Sequence, residues 1–120
     1  MTSRSTPEPG RGEVWWIRFD PVQGSEIGKT RPAVVANPRS IGRLPLRIVV
    51  PVTGWKSAYE AVPWLVRLEP SPRNGLKKAS VADCFQVKSV SVRRFVDRIG
   101  DVHARDIREI SAAIAVCVDA

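Results

Sequence analysis

The stretch QGSEIGKTRPAVV, residues 23–35, combines glycines and charged side chains in the manner of a phosphate-binding loop. The P-loop pattern G-x-x-x-x-G-K-[ST] would require glycine at position 23, but that residue is Gln23, and Gly24 lies one position too close. A P-loop must also open a helix whose amides point at the phosphates. Here Arg31-Pro32 and an apolar run follow, and Pro32 favours extended backbone before it. The stretch therefore predicts a charged loop entering a strand, and a nucleotide site is excluded.

The charge balance favours an anionic partner. The chain has 120 residues, 19 of them basic and 12 acidic, with a net charge of +7. Fourteen of the 19 basic residues are Arg, whose planar fork pairs with phosphate oxygens. Composition indicates a nucleic acid or an acidic protein as the partner, with a solvated basic surface as the alternative.

The remaining composition predicts one domain that is not exported. We expect residues 1–10 to be a flexible tail and residues 11–120 a single domain. The N-terminal residues lack the apolar segment of a signal peptide, and no apolar run is long enough to span a membrane. Cys84 and Cys117 are predicted to be reduced, buried thiols in a cytoplasmic protein, with a disulfide as the less favoured alternative. One His and two isolated Cys predict no metal site and no cofactor.

Hydrophobic patterning predicts short strands followed by one helix. A helix is expected over residues 104–118, because Ile107, Ile110, Ile114 and Cys117 recur at helical spacing. Short strands with Pro and Gly turns, closed by a helix, indicate a mainly β fold built on a small, strongly bent antiparallel sheet or barrel. Strands are expected at Glu13–Phe19, at Ala33–Ala36, at Arg47–Val50 running into Thr53, at Val62–Leu68 by period-two alternation, within Ser80–Val90, and at Phe95–Ile99.

Three segments in this order resemble the MazF/PemK family of toxin ribonucleases. They are RGEVWWIRFDPVQGSEIGKTRPAVV at 11–35, VVPVT at 49–53 and GLKKASVADCFQVKSVSVRR at 75–94, followed by the terminal helix. The resemblance implies an SH3-like barrel of the CcdB/Kid/MazF type and a homodimer. It also implies metal-independent, sequence-specific cleavage of single-stranded RNA, leaving 2′,3′-cyclic phosphate and 5′-hydroxyl ends, and inhibition by an acidic antitoxin in the RNA groove.

The same resemblance assigns site residues. Arg31 and Thr53 match the residues that the family uses at the scissile phosphate, Glu26 matches the acidic residue of the GSE loop, and Gln86 matches a glutamine of the third segment. Many members have Asp directly before that glutamine. This chain has Phe85 there and Asp83 two residues earlier, on the same face if the strand is regular.

The chemistry of RNA cleavage agrees with an arginine-centred site. The single histidine, His103, excludes a pair of catalytic histidines. The Arg31 fork can neutralise charge on the phosphorane, and Thr53 can donate to the same oxygens. Arginine is a poor base because its pKa exceeds about 12, so the proton would pass to Glu26, to a water, or to an unusually perturbed guanidinium.

Further residues are predicted to bind RNA. Trp55 and Tyr59, beside Lys56, are candidates for base stacking, with packing against the barrel as the alternative. Phosphate contacts are predicted for Lys29, Lys56, Lys77, Lys78, Lys88, Arg93 and Arg94, and an RNA contact for Gln86; a solvated basic face is the alternative for the basic residues. Two other functions fit the same barrel: a CcdB-like gyrase-poisoning toxin and a non-catalytic RNA-binding protein.

Overall fold

The structure is a computed structural model that describes residues 7–39 and 44–120. It is mainly β with one terminal helix, as predicted. The strands are β1 (Glu13–Arg18), β2 (Thr30–Val35), β3 (Leu46–Gly54), β4 (Leu65–Leu68), β5 (Ser80–Asp83), β6 (Lys88–Ser91) and β7 (Phe95–Asp101), and the helix is α1 (Ala104–Cys117).

All strand pairs are antiparallel, in the order β4-β5-β3-β2-β1-β7, with β6 also pairing with β3. One edge of β3 pairs first with β6, over Leu46–Val49, and then with β5, over Val52–Gly54. A 3-10 turn, Cys84–Gln86, separates the two partner strands. Pro51, which has no N–H to donate, lies at this break. The strongly bent antiparallel barrel is thereby confirmed.

The sheet is covered on both faces. Consecutive residues of the central strands, such as Val34 and Val35, are fully buried, although their side chains point to opposite faces. One face packs with Ile107 and Ile110 of α1, and the other packs around Phe19 and Phe95. Two-sided burial stabilises the sheet by about 1.5–3 kcal/mol for each large side chain removed from water.

Helix α1 confirms the predicted span to within one residue. Ile107, Ile110 and Ala113 are buried, and Ile114 packs against the same core. Cys84 and Cys117 are free thiols; Cys84 is buried as predicted, but Cys117 near the end of α1 is only partly buried. Burial raises the pKa of Cys84 to about 12, so its thiol is protonated at neutral pH and unreactive. No helix within the described ranges is long and apolar enough to cross a lipid bilayer.

Two strands begin three residues away from the sequence-based expectation. β2 begins at Thr30 and not at Ala33, so Arg31 and Pro32 belong to the strand. β4 begins at Leu65 and not at Val62, because Pro63 interrupts the alternation and the N–H of Leu65 donates to Val62 O in a turn (3.2 Å).

The N-terminal segment joins the domain before residue 11. Residues 1–6 of the expected tail lie outside the described residues. Pro9 and Gly10 are buried. The carbonyl of Pro9 accepts from Arg47 Nε (2.8 Å) and the N–H of Gly10 donates to Glu13 Oε1 (2.9 Å), so these two residues are packed against the barrel.

Gly75 brings the segment between β4 and β5 against β7. Its φ is +70°, and a Cβ at this position would lie 2.1 Å from the carbonyl oxygen of Ile99. Only glycine permits both the left-handed backbone and this close approach. The adjacent Leu76, Lys77 and Lys78 are thereby placed beside the start of β2 and the end of β3.

Candidate functional site

The site is built where β2 begins and β3 ends. Ala33 lies opposite Pro51 in the β2–β3 register. Arg31 lies two residues before Ala33, and Thr53 lies two residues after Pro51. Because the strands are antiparallel, the two residues lie near each other on the sheet and line the same cavities. The structure brings together the two residues predicted to act at the scissile phosphate.

Three cavities run in series across this surface. The first hollow has a volume of about 540 Å³, the second about 470 Å³ and the third about 410 Å³. The first and second share Arg31, Thr53, Gly54 and Lys78; the second and third share Ile27 and Gln86. The first is further lined by Trp16, Thr30, Pro32, Val52, Gly75, Leu76, Lys77, Ser80 and Ile99, the second by Trp55, Lys56, Tyr59 and Asp83, and the third by Ser25, Glu26, Pro51, Phe85, Val87 and Lys88.

Arg31 is anchored at one nitrogen and free at the others. Its Nε donates to the carbonyl of Gly28 (2.9 Å). Among the described residues, its two terminal nitrogens have neither a hydrogen-bond acceptor nor an ion-pair partner. A fixed guanidinium with free terminal N–H groups suits an anion that offers two oxygens.

Lys78 is a second cation at the junction of the first two hollows. Its Nζ lies 3.2 Å from the position that a Cβ on Gly54 would occupy. The absence of a side chain at Gly54 therefore leaves space for the Lys78 ammonium group. In the sequence, Lys78 stands out only as one of several basic residues. Lys56 and Lys77 add positive charge to the second and first hollows, and this surface therefore attracts phosphates.

Asp83 supplies a carboxylate in the second hollow. Its Oδ1 accepts from the N–H of Phe85 (3.2 Å) and its Oδ2 lies 3.4 Å from Gln86 Nε2. Burial raises the pKa of Asp83 above its ordinary value, although the hydrogen bonds from Phe85 and Gln86 act in the opposite direction. A carboxylate with raised proton affinity that lines the same hollow as Arg31 and Thr53 can accept a proton there.

The strand around Asp83 is not regular. β5 ends at Asp83, and the side chain of this residue caps the 3-10 turn Cys84–Gln86. Alternation along a strand therefore does not relate Asp83 to Phe85, which lies in the turn. Both residues still border the site, Asp83 in the second hollow and Phe85 in the third.

Glu26 lies in the third hollow and not in those that contain Arg31. Its Oε1 accepts from the N–H of Gln23 (2.8 Å), and its Oε2 is 4.0 Å from Lys88 Nζ. The structure therefore places Glu26 and Lys88 together, one hollow away from Arg31 and Thr53.

Gln86 connects the β1–β2 loop to the second hollow. Its Oε1 accepts from the N–H of Ile27 (2.6 Å), and its Nε2 donates to the carbonyl of Ser25 (3.3 Å). The amide thus holds the loop that carries Glu26, a positioning contact in addition to the RNA contact predicted for it.

The remaining predicted RNA-binding residues lie at different distances from the centre. Trp55 lines the second hollow, and the guanidinium of Arg67 lies 4.4 Å from its ring centroid, so one ring face is occupied. Lys56 Nζ lies 5.9 Å from the centroid of the Tyr59 ring. Lys29 is exposed, with φ of 65°, and lines none of the three hollows.

Within residues 7–39 and 44–120, no group of three or more His, Cys, Asp or Glu side chains is placed to hold a metal ion. The charge available near Arg31 is instead carried by arginine and lysine.

Comparison with known proteins relates the chain to one family. Residues 10–118 match the family described as PemK-like, MazF-like toxin of type II toxin-antitoxin system. The chain is 34% identical over 120 residues to the endoribonuclease toxin MazF of Escherichia coli K12, covering 98% of this chain and 99% of that protein. It is 30% identical over 115 residues to endoribonuclease MazF9 of Mycobacterium tuberculosis, covering 91% and 95%.

Solved structures show the same fold. MazF from Deinococcus radiodurans superposes with a TM-score of 0.78 at 25% identity, covering 93% of this chain and 97% of that one. An endoribonuclease in complex with its cognate antitoxin, from a mycobacterial species, has a TM-score of 0.73 at 17% identity and covers 93% and 96%. The second likeness is one of fold alone.

Proposed function

This chain belongs to the PemK-like, MazF-like toxin family of type II toxin–antitoxin systems, and we propose that it is a metal-independent, sequence-specific endoribonuclease. It cleaves single-stranded RNA, including mRNA, and thereby inhibits translation and growth. One observation carries the proposal: Arg31 and Thr53 meet at the junction of two cavities, together with Lys78.

In the proposed reaction the ribose 2′-hydroxyl attacks the adjacent phosphorus. The P–O5′ bond breaks as the leaving 5′-oxygen takes a proton from water, and the products are a 2′,3′-cyclic phosphate and a 5′-hydroxyl. The terminal N–H groups of Arg31 hold the phosphoryl oxygens as negative charge develops, and the Thr53 hydroxyl donates to one of them. Lys78, which lines the same two hollows, adds positive charge. These groups bind the transition state more strongly than the ground state, which is what accelerates the step.

The base that removes the 2′-hydroxyl proton is a carboxylate. Asp83 is favoured by position, because it lines the same hollow as Arg31 and Thr53. Glu26, which the family resemblance assigns, is the alternative base; its hollow joins the site through Ile27 and Gln86.

Substitution of the two carboxylates distinguishes these assignments. We expect Asp83→Asn to lower kcat by about 10²–10⁴-fold, since the amide keeps the turn cap but accepts no proton. In the wild type, kcat falls as pH falls through the pKa of Asp83, which burial raises, so the acidic limb should lie above the usual range for aspartate. The measurement is a pH profile of kcat on one RNA.

Glu26→Gln is the matched control for that profile. It should preserve the acidic limb and act mainly through KM. If instead Glu26→Gln removes the limb while Asp83→Asn retains it, Glu26 is the base and the assignment to Asp83 is wrong.

The direct test of the function is cleavage of RNA in EDTA. Purified protein is incubated with single-stranded RNA of mixed sequence, and discrete cuts with cyclic phosphate ends are expected. Binding without cuts would indicate the non-catalytic RNA-binding alternative. Inhibition of gyrase without RNA binding would indicate the CcdB-like alternative.

We also propose a homodimer that works in the cytoplasm, where RNA is available and free thiols such as Cys84 and Cys117 stay reduced. Exposed apolar side chains are consistent with an interface between copies; Leu46 and Ile48 of β3 are 42% and 40% exposed. Measurement of the mass in solution tests the dimer.

The proposed inhibitor is an acidic antitoxin that competes with RNA. The chain carries a net charge of +7, and carboxylates of an extended peptide can replace phosphates opposite Arg31 and Lys78. Added salt should weaken RNA binding steeply through counterion release, and antitoxin binding less, because apolar burial supplies part of its affinity.

Competition on an inactive Thr53→Ala protein tests this prediction. Saturating antitoxin should displace labelled RNA without unfolding the protein. Unchanged RNA affinity in the presence of bound antitoxin would contradict a shared groove and place the inhibitor on another surface.

A further inference from the structure

Phe85 is an aromatic residue that the fold leaves uncovered. It is 65% exposed, whereas Phe19 and Phe95 are 1% and 6% exposed. Its backbone N–H is satisfied by Asp83 Oδ1 (3.2 Å), a contact that any residue at this position makes. Neither the core nor the local turn therefore requires a large ring here.

The ring is nevertheless held in place by a second exposed aromatic residue. The centroids of Phe85 and Trp64 are 5.7 Å apart, with 56° between the ring planes. The backbone N–H of Cys84 donates to the carbonyl of Trp64 (3.0 Å), which ties the two segments together. Phe85 and Trp64 form a pre-organised apolar surface, called here the aromatic shelf.

The shelf continues the groove that contains Arg31. Phe85 lines the third hollow, which shares Ile27 and Gln86 with the second. Pro51 and Val87 make much of the third hollow apolar, and Lys88 on its wall lies 4.0 Å from the Glu26 carboxylate that lines the same hollow. The apolar part of this surface suits the stacking of a base.

We infer that Phe85 stacks on an unpaired RNA base, one nucleotide beyond those that flank the scissile phosphate. The inference rests on the proposed function and names a subsite for it. Phe85 lines neither hollow that contains Arg31 and Thr53, so it contributes to binding and not to the chemical step. Aromatic stacking tolerates every base, because each has a π face; Phe85 therefore adds affinity at this position and little base preference.

The test uses a short single-stranded RNA that carries the mapped cut site. A 2′-deoxy nucleotide at the cut prevents cleavage, and each neighbouring base is replaced in turn by an abasic site. Dissociation constants are measured by fluorescence anisotropy for the wild type and for Phe85→Ala, Phe85→Leu and Phe85→Trp. Val118→Ala is the matched control, since Val118 is also 65% exposed but lies at the end of α1.

Phe85→Ala should raise the dissociation constant about 5- to 150-fold, with kcat on the cleavable RNA unchanged. Phe85→Leu should weaken binding as well, because it keeps the apolar contact but has no ring. Phe85→Trp and Val118→Ala should bind like the wild type. On the RNA with one particular abasic site, Phe85→Ala and the wild type should bind equally, which identifies the stacked nucleotide.

Three results would overturn the inference alone while the wild type still cuts RNA. These are equal affinity of Phe85→Ala and the wild type for the intact RNA, the same loss on every abasic RNA, and a loss of affinity for an acidic antitoxin peptide with RNA binding unchanged. The last would assign the shelf to a protein partner. A wild-type protein that neither binds nor cuts RNA would overturn the proposed function together with this subsite.

Discussion

Arg31→Ala is expected to abolish detectable RNA cleavage, a loss of at least about 10²–10³-fold in kcat. The substitution removes the guanidinium of a residue that lines both of the first two hollows. Within the described part of the chain the side chain makes one hydrogen bond, from its Nε to the Gly28 carbonyl, and it is only half-buried. The change should therefore leave the barrel folded, as checked by circular dichroism and thermal unfolding.

Two companion variants separate charge at the site from charge in general. Arg31→Lys keeps the positive charge but not the fork that holds two oxygens, so it should recover only part of the rate. Arg108→Ala removes the same charge from the exposed face of α1 and should cut normally. Cleavage by folded Arg31→Ala at near the wild-type rate would show that the site assignment is wrong.

The second large effect is expected from removing one hydroxyl group of the substrate RNA. Replacing the single 2′-hydroxyl at the cut nucleotide by hydrogen should stop cleavage at that position completely, because the attacking nucleophile is then absent. The same replacement one nucleotide downstream should leave the cut intact. Gel analysis of end-labelled oligonucleotides in EDTA measures both, together with the chemistry of the ends.

This experiment also examines the proposed independence from metals. Cleavage of the 2′-deoxy oligonucleotide, a product with a 5′-phosphate, or a strict requirement for Mg²⁺ would each contradict attack by the 2′-hydroxyl at an arginine-centred site. A water activated by a metal would then be the expected nucleophile.

Local patterns in the chain were sufficient for its helix and most of its strands. Apolar residues at helical spacing, from Ile107 to Ile114, face one side of α1 whatever they pack against. The aromatic and β-branched run of β1 likewise indicates a strand locally, because such residues favour extended backbone. The pattern does not predict strand boundaries where a proline or a side-chain cap acts on the backbone. Pro63 shortens β4, and the Asp83 side chain ends β5 by capping the following turn.

The family resemblance named Arg31, Thr53, Glu26 and Gln86 as site residues, but their mutual geometry does not follow from the chain alone. Arg31 and Thr53 meet because β2 and β3 pair in one register, and a shift of one residue would turn a side chain to the other face. Asp83 reaches their hollow because the chain turns where β5 ends.

The amino-acid sequence alone thus determined which residue types are present, the secondary structure that local periodicity dictates, and a positive charge that favours an anionic partner. Tertiary packing determined which of these residues meet. It placed Asp83 rather than Glu26 in a hollow that Arg31 also lines, engaged the Gln86 amide with Ser25 and Ile27, and left Phe85 exposed. The reason is that contacts between residues far apart in the chain depend on strand register and loop closure, which are set by burial of the whole core and not by any short stretch.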